Sequence, residues 1–337
     1  MQAAVVTDGG CIELQTLHDP TPEAGELVLR VSSCGICGSD VKARPAMPHG
    51  TVMGHEFCGE VVAVGPGAGG RWSEGMHAAV LPVFSCGTCR WCVAGDVAHC
   101  SAARLIGLGG SQGGFAEYVK SSSALAFALP SDLAETHGAL VEPFAVGLHT
   151  ARMAGIREGD DILVVGGGPV GLTTARWARE LGASRVVVSD PSPDRRRMAE
   201  AIGATAVLDP ATDELGRDYD VVIECVGKPG LLDTCVEATA VKGRIVIAGV
   251  CAEPDPYLPV MALLKELTVS FSVYYRPDEF EHVIEAFAGG RIDPTVLVTG
   301  TVPLDGLDQA FARLGGNPSD CKILVDPRRS TETSILL

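Results

Sequence analysis

Residues 161 to 190 constrain the fold more than any other stretch. Asp161-Ile-Leu-Val-Val165 is a short apolar run that passes directly into Gly166-Gly-Gly168-Pro-Val-Gly171. A helical stretch to about Gly182 follows, and a second apolar run from Arg185 to Ser189 ends in Asp190. Strand, glycine turn, helix, strand and terminal acid within about thirty residues form the pattern of a dinucleotide-binding parallel sheet. Each part has a physical role. Gly166 makes the tight turn, Gly168 lets the backbone approach a pyrophosphate, and Gly171 allows the helix to pack closely on the strand. The helix N-terminus is then free to bind phosphates. Asp190 is placed to accept hydrogen bonds from ribose hydroxyls and to repel a 2′-phosphate, which favours NAD over NADP. Arg195, Arg196 and Arg197 leave a second reading open, in which an arginine tolerates that phosphate; they also read simply as a surface run on the next helix.

At 337 residues the chain suits two domains. Further apolar runs at 206–208, 221–223, 244–248 and 268–273 alternate with helical segments, so a doubly wound parallel sheet is expected over 146–276. The N-terminal part reads as β structure, with strands at 2–7, 26–32, 60–64, 77–80 and 115–119 separated by turn chemistry such as Asp19-Pro20-Thr21-Pro22. That pattern fits a small, partly open barrel. A helical rhythm covers 134–153, and a last long helix is expected at 278–290. Strand-like 296–302 and 322–326 are expected to return to the first domain. The domains are therefore read as 1–145 with 277–337, and 146–276. Residues 330 to 337 read as a frayed tail.

Cysteine spacing is the sharpest local signal. Cys86, Cys89, Cys92 and Cys100 follow the order Cys-x2-Cys-x2-Cys-x7-Cys, compact enough for four thiolates to close tetrahedrally on one zinc. Four sulfurs leave no open position, so this site is expected to be structural. A second constellation lies upstream. Cys37, His55 and Glu56 offer sulfur, nitrogen and oxygen to a borderline-soft ion, and Gly38 and Gly54 let two loops converge. Cys34 with Cys37 also imitates a redox Cys-x-x-Cys, a competing and weaker reading.

Composition excludes several classes. The net charge of −16 gives no basic face for a nucleic acid. There is no basic-then-apolar start and no run of eighteen apolar residues, so neither secretion nor membrane spanning is expected and the chain is read as cytoplasmic. Twelve cysteines in such a chain point to metal or redox chemistry.

Over nearly its full length the chain resembles the zinc-dependent medium-chain dehydrogenase/reductases, and within them the sorbitol, threonine and polyol dehydrogenase branch. The likeness rests on Cys37-Gly38-Ser39-Asp40, on Gly54-His55-Glu56-x-x-Gly59 and on the four-cysteine lobe. Glu142-Pro143 with His149, and the Gly166 to Asp190 unit, complete it. It implies a GroES-like, partly open barrel as catalytic domain beside a Rossmann domain, with two zinc ions per chain and NAD as cofactor. It implies Cys37 and His55 as ligands of a catalytic zinc, with Glu56 direct or exchanging and Glu142 direct or through water. Ser39 matches a hydroxyl in the family's proton path, although a serine there also serves to satisfy its own loop, and Asp40 is expected to orient a ligand. Val170 is expected at the pyrophosphate turn, Arg195 near the ribose, and Val226, Gly249 and Val250 on the nicotinamide side. Strand 268–273 is expected to pair with its copy in a homodimer or homotetramer.

Departures from the family bear on substrate. Lys42 stands where many relatives complete the proton relay with histidine, and Ala43 replaces a frequent tyrosine. Phe271-Ser272-Val273 lacks the arginine of the sorbitol-type sequence, which argues against sorbitol, while small, glycine-rich 106–112 is expected to line the pocket. The implied activity is hydride transfer between a secondary alcohol or polyol, or its ketone, and NAD. The alternatives are an NADP-dependent aldehyde or ketone reductase and a non-catalytic dinucleotide-binding protein. His18, His49, His77, His99, His137 and His282 receive no role.

Overall fold

The computed structural model describes residues 1–68, 70–133, 137–317 and 319–329. It divides into two compact units, 1–142 with 276–337, and 143–275.

In the first unit, strand Glu26–Gly35 is the axis of a seven-stranded sheet. It pairs antiparallel with Glu56–Val64 and Tyr118–Ser122 and, at its end, with Lys322–Val325, which carries Val298–Val302 parallel on its outer side. Strands Val298–Val302 and Lys322–Val325 thus join the N-terminal sheet. Alternation of small and branched apolar residues lets both faces pack. Leu27, Leu29, Val31, Phe57, Val61, Phe115, Phe311 and Ile323 share one core, and each such side chain contributes about 1.5–3 kcal/mol by leaving water.

One strand boundary differs from the sequence expectation. Phe115 and Glu117 are bends around a single bridge at Ala116, and the backbone of this stretch bonds Met53 and the N-terminal strand Gln2–Val6. The regular strand begins at Tyr118, where pairing to Arg30 starts. Apolar alternation marks extended backbone but not which neighbour satisfies its N–H and C=O groups.

The second unit is an all-parallel six-stranded sheet. Its order runs from Ala206–Leu208 through Arg185–Ser189, Asp161–Val165, Tyr219–Glu224 and Thr239–Ile247 to Thr268–Phe271. This is two βαβαβ halves meeting at the central strand Asp161–Val165, the doubly wound Rossmann arrangement. Helix Pro169–Glu180 opens on Pro169, whose missing N–H costs nothing in the first turn. Gly171 explains its tight seating, because a Cβ there would lie 1.8 Å from the Gly166 carbonyl oxygen. The helical stretch expected at 134–153 is a helix from Val141 to Met153, preceded by one tight turn. Residues 134–136 and the expected tail at 330–337 lie outside the described residues. Among the described residues no helix is long and apolar enough to cross a membrane.

Candidate metal centres and dinucleotide cradle

Cys37 caps the short helix Gly38–Ala43 at the end of the sheet's axial strand, and His55 immediately precedes strand Glu56–Val64. Antiparallel pairing of those strands sets Gly35 opposite Glu56 and brings both loops to one sheet end. The ligand atoms of Cys37, His55 and Glu56 there lie within 4.8 Å of one another. Asp40, fully buried, holds the cluster together. Its Oδ1 is 3.1 Å from His55 Nδ1, and its Oδ2 accepts the Cys37 backbone N–H at 2.9 Å. With Nδ1 donating to a carboxylate, the Nε2 lone pair is left for a metal, the usual orientation of a ligating histidine. Burial opposes a charged imidazole, but the Asp40 carboxylate outweighs it and raises the His55 pKa. Ser39 Oγ stands 3.5 Å from His55 Nε2.

The mixed sulfur, nitrogen and oxygen donor set fits a divalent zinc with Lewis-acid duty. Glu142, second residue of its helix, lies outside the three-residue cluster, although its charge reaches Lys322 beside Glu56.

Lys322 is the residue that sequence reading missed. Its Nζ lies 2.6 Å from each Glu56 oxygen and donates to the Ile36 carbonyl at 3.1 Å. Burial works against the ammonium, yet Glu56, then Cys37 and Glu142, raise its pKa above the ordinary lysine range. The signal was present as a lysine inside the apolar run Cys321-Lys-Ile-Leu-Val325, where an unpaired cation would not be tolerated. Gly35 completes the arrangement, because a Cβ on it would stand 2.1 Å from Glu56 Oε2.

The second cluster gathers Cys86, Cys89, Cys92 and Cys100. Its sulfur separations are 3.5 Å for Cys89–Cys92 and Cys86–Cys100 and 3.9 Å for Cys86–Cys92. Four sulfurs at a Zn–S bond of about 2.3 Å define a tetrahedron with an edge of about 3.8 Å, so the thiols fit one ion. Backbone N–H groups of Cys89, Cys86 and Ala102 point at these sulfurs. Amides of Thr88 and Cys89 lower the Cys86 thiol to about 6, the direction a thiolate ligand requires.

In the second unit Gly166 adopts φ +104°, and a Cβ on Gly168 would meet nothing within 4 Å, leaving an open cradle at the helix N-terminus, with Val170 next in its first turn. That bare backbone fits a pyrophosphate. Asp190 is buried, its Oδ2 accepting the Gly167 N–H and its Oδ1 the Ser192 N–H, both at 2.8 Å. Arg195 Nη1 lies 3.8 Å from Asp190, and its buried Nε has no hydrogen-bond partner among the described residues. Val226 packs on Gly166, and Gly249 abuts Gly227. Glu224, another residue passed over in sequence, ties this end of the sheet together. Its Oε1 accepts the N–H groups of Val226 at 2.6 Å and Gly227 at 2.8 Å, and its carbonyl accepts that of Gly249 at 3.0 Å. Val250 follows with its side chain exposed.

Residues 23–131 match the alcohol dehydrogenase GroES-like domain, and 169–289 match the zinc-binding dehydrogenase domain. The chain is 33% identical to the (R,R)-butanediol dehydrogenase of Bacillus subtilis strain 168, across 94% of this chain and 96% of that one. The chain belongs to the zinc-binding, medium-chain alcohol dehydrogenases. Its relatives place it in the polyol branch of that family. A zinc-binding dehydrogenase of Sinorhizobium meliloti 1021, solved with NADP, superposes with a TM-score of 0.89 at 32% identity, over 97% of this chain and 99% of that one. An alcohol dehydrogenase of Escherichia coli CFT073, solved with NADH, gives 0.91 at 28% identity over the same shares.

Proposed function

We propose that the chain oxidises a secondary alcohol or polyol, or reduces the matching ketone, with NAD as its cofactor. Convergence of Cys37, His55 and Glu56 under the control of buried Asp40 carries this reading. Cys37 and His55 would hold a catalytic zinc, with Glu56 as exchanging ligand and Glu142 direct or through water; the four-cysteine lobe would hold a structural one. Zinc at the first site would supply a Lewis acid that acidifies a hydroxyl near neutral pH, while the dinucleotide carries the electrons. Asp40 fixes the imidazole orientation, and Ser39 Oγ is positioned beside His55 to pass a proton toward solvent. Gly166, Gly168, Val170 and Gly171 would cradle the pyrophosphate, and Val226, Gly249 and Val250 would face the nicotinamide.

Preference for NAD rests on Asp190, a buried acid at the strand end where a 2′-phosphate would fall. The Nε of Arg195 beside it, without a hydrogen-bond partner among the described residues, supports NADP as the second reading. The apolar edge formed by helix Pro259–Leu264 and strand Thr268–Phe271 supports a homodimer or homotetramer, since Leu263 on the helix is 74% exposed and Phe271 is 71% exposed on a strand that pairs on one side only among the described residues.

A cofactor-absorbance assay of the zinc-loaded protein with NAD and NADP, across polyols, cyclitols, simple secondary alcohols and threonine, tests the proposal. Turnover with NAD that is lost on chelation supports it. Silence on all of these, with two zinc ions per chain and measurable NAD binding, would overturn it.

A further inference from the structure

We propose that a cavity between loops 49–51 and 104–112, built on the backbone that leads into His55, receives the anionic end of the substrate, so that the protein acts on a polyol bearing a terminal carboxylate or phosphate. This rests on the dehydrogenase reading above and names its substrate class. The cavity has a volume of about 420 Å³ and is lined by His49, Gly50 and Thr51 on one side and by Arg104 and Gly109 to Gln112 on the other.

Gln112 clamps these two walls. Its Oε1 accepts the Val52 N–H at 2.6 Å and its Nε2 donates to the Gly50 carbonyl at 3.1 Å. The second wall is a compact loop closed on itself, with Ser111 N–H on the Leu105 carbonyl at 3.0 Å and Gly107 N–H on that of Ser111 at 2.9 Å. It has no side chain at Gly109 or Gly110, and a Cβ on Gly110 would lie 2.6 Å from the Leu105 nitrogen. The same loop is braced against the residues that lead into His55. A Cβ on Gly107 would lie 2.2 Å from the Gly54 carbonyl oxygen, and one on Gly113 would lie 2.4 Å from that of Met53. Cavity and metal cluster therefore share one stiff piece of backbone.

The charge of the lining selects the ligand. The chain has 42 acidic against 26 basic residues, yet among the described residues no carboxylate lines this cavity, whereas His49 and Arg104 do. Asp8, exposed, lies 3.2 Å from His49 Nδ1 and is the only acid paired to either among the described residues. The Arg104 guanidinium lies 4.8 Å above the Phe84 ring and has no carboxylate partner among the described residues. A stacked guanidinium keeps its fork of N–H donors in plane for a carboxylate or phosphate. Without a carboxylate in the lining, no charged acceptor is present for the hydroxyls of a neutral sugar chain.

The test compares kcat/KM of the zinc-loaded full chain for a neutral hexitol, the corresponding aldonate and the hexitol phosphate. One anionic member is expected to exceed the neutral parent, with the margin shrinking as salt rises, and the better of the two identifies the group. Arg104→Gln should lower kcat/KM for that anion about ten- to hundredfold more than for the parent, mainly through KM, while Arg104→Lys should recover part of the loss. Thermal melting of both variants separates misfolding from lost recognition. Equal use of neutral and anionic substrates, or an equal loss on both in Arg104→Gln, overturns the inference and leaves the dehydrogenase reading standing. Absence of turnover with every member, zinc and dinucleotide being bound, overturns both.

Discussion

Lys322 Nζ stands 2.6 Å from both carboxylate oxygens of Glu56, and each side chain is 1% exposed. A buried ion pair so formed joins the C-terminal strand to the strand that follows His55, across the Gly35 end of the axial strand. It also occupies the one acidic side chain in the metal cluster, so Glu56 approaches an ion only by sharing its charge with Lys322.

Removing one partner leaves the other buried and unpaired. Lys322→Ala is therefore expected to destabilise the fold by about 3–5 kcal/mol, read as a drop in the urea midpoint. Combining it with Glu56→Leu should cost less than the single change. A cost in the double variant equal to the sum of the two single changes would show that the charges are not coupled.

Gly35 is expected to resist any side chain. With its Cβ 2.1 Å from Glu56 Oε2, Gly35→Ala has to displace the carboxylate or the strand, a strain of about 1–3 kcal/mol. Lower thermal stability together with reduced turnover is the expected result; unchanged values would mean that Glu56 moves freely.

Cys89→Ser should lower the zinc content by one ion per chain and lower the melting temperature before it affects nucleotide binding, because metal affinity in a closed thiolate site is folding free energy. Cys37→Ser should instead abolish turnover and keep dinucleotide binding within a few-fold. Elemental analysis and calorimetric titration of both variants check the division.

Thiol alkylation of the zinc-loaded protein at pH 8 is expected to modify exposed Cys11 and Cys251 and to spare Cys34, Cys58, Cys235 and Cys321. Burial raises the Cys34 thiol well above its ordinary value, and burial with the nearby Glu224 charge raises Cys235 to about 12. A raised thiol pKa keeps the protonated, unreactive form below that value, so these residues should label only on unfolding. Peptide mass mapping before and after chelation would also reveal whether the four lobe thiols become available.

Phe271→Asp places a charge on the free apolar edge. Sedimentation of the wild type as a dimer or tetramer and of the variant as a smaller species would support pairing through Thr268–Phe271. Identical sedimentation of the two would remove that strand from the interface.

Sequence alone determined the parts whose chemistry is local. Strand, turn and helix from Asp161 to Asp190 follow from residues a few positions apart, because glycine backbone freedom and apolar runs act over one turn. Cys86, Cys89, Cys92 and Cys100 were legible for the same reason, with spacing short enough for one lobe. Pairings between distant residues were decided only by tertiary structure. Nothing near Lys322 in sequence indicates that its partner is Glu56, 266 positions away, and only the antiparallel placement of three strands turns a lysine in an apolar run into a buried ion pair. Phe115 to Glu117 reads as strand in the sequence, but its bonds to the N-terminal strand and Met53 bend it, and the regular strand starts only at Tyr118. His49 and Arg104 lie 55 positions apart and share a cavity because Gln112 clamps their loops together. Local propensity sets what a segment becomes, whereas long-range contacts, formed against the entropy of closing large loops, decide which side chains meet.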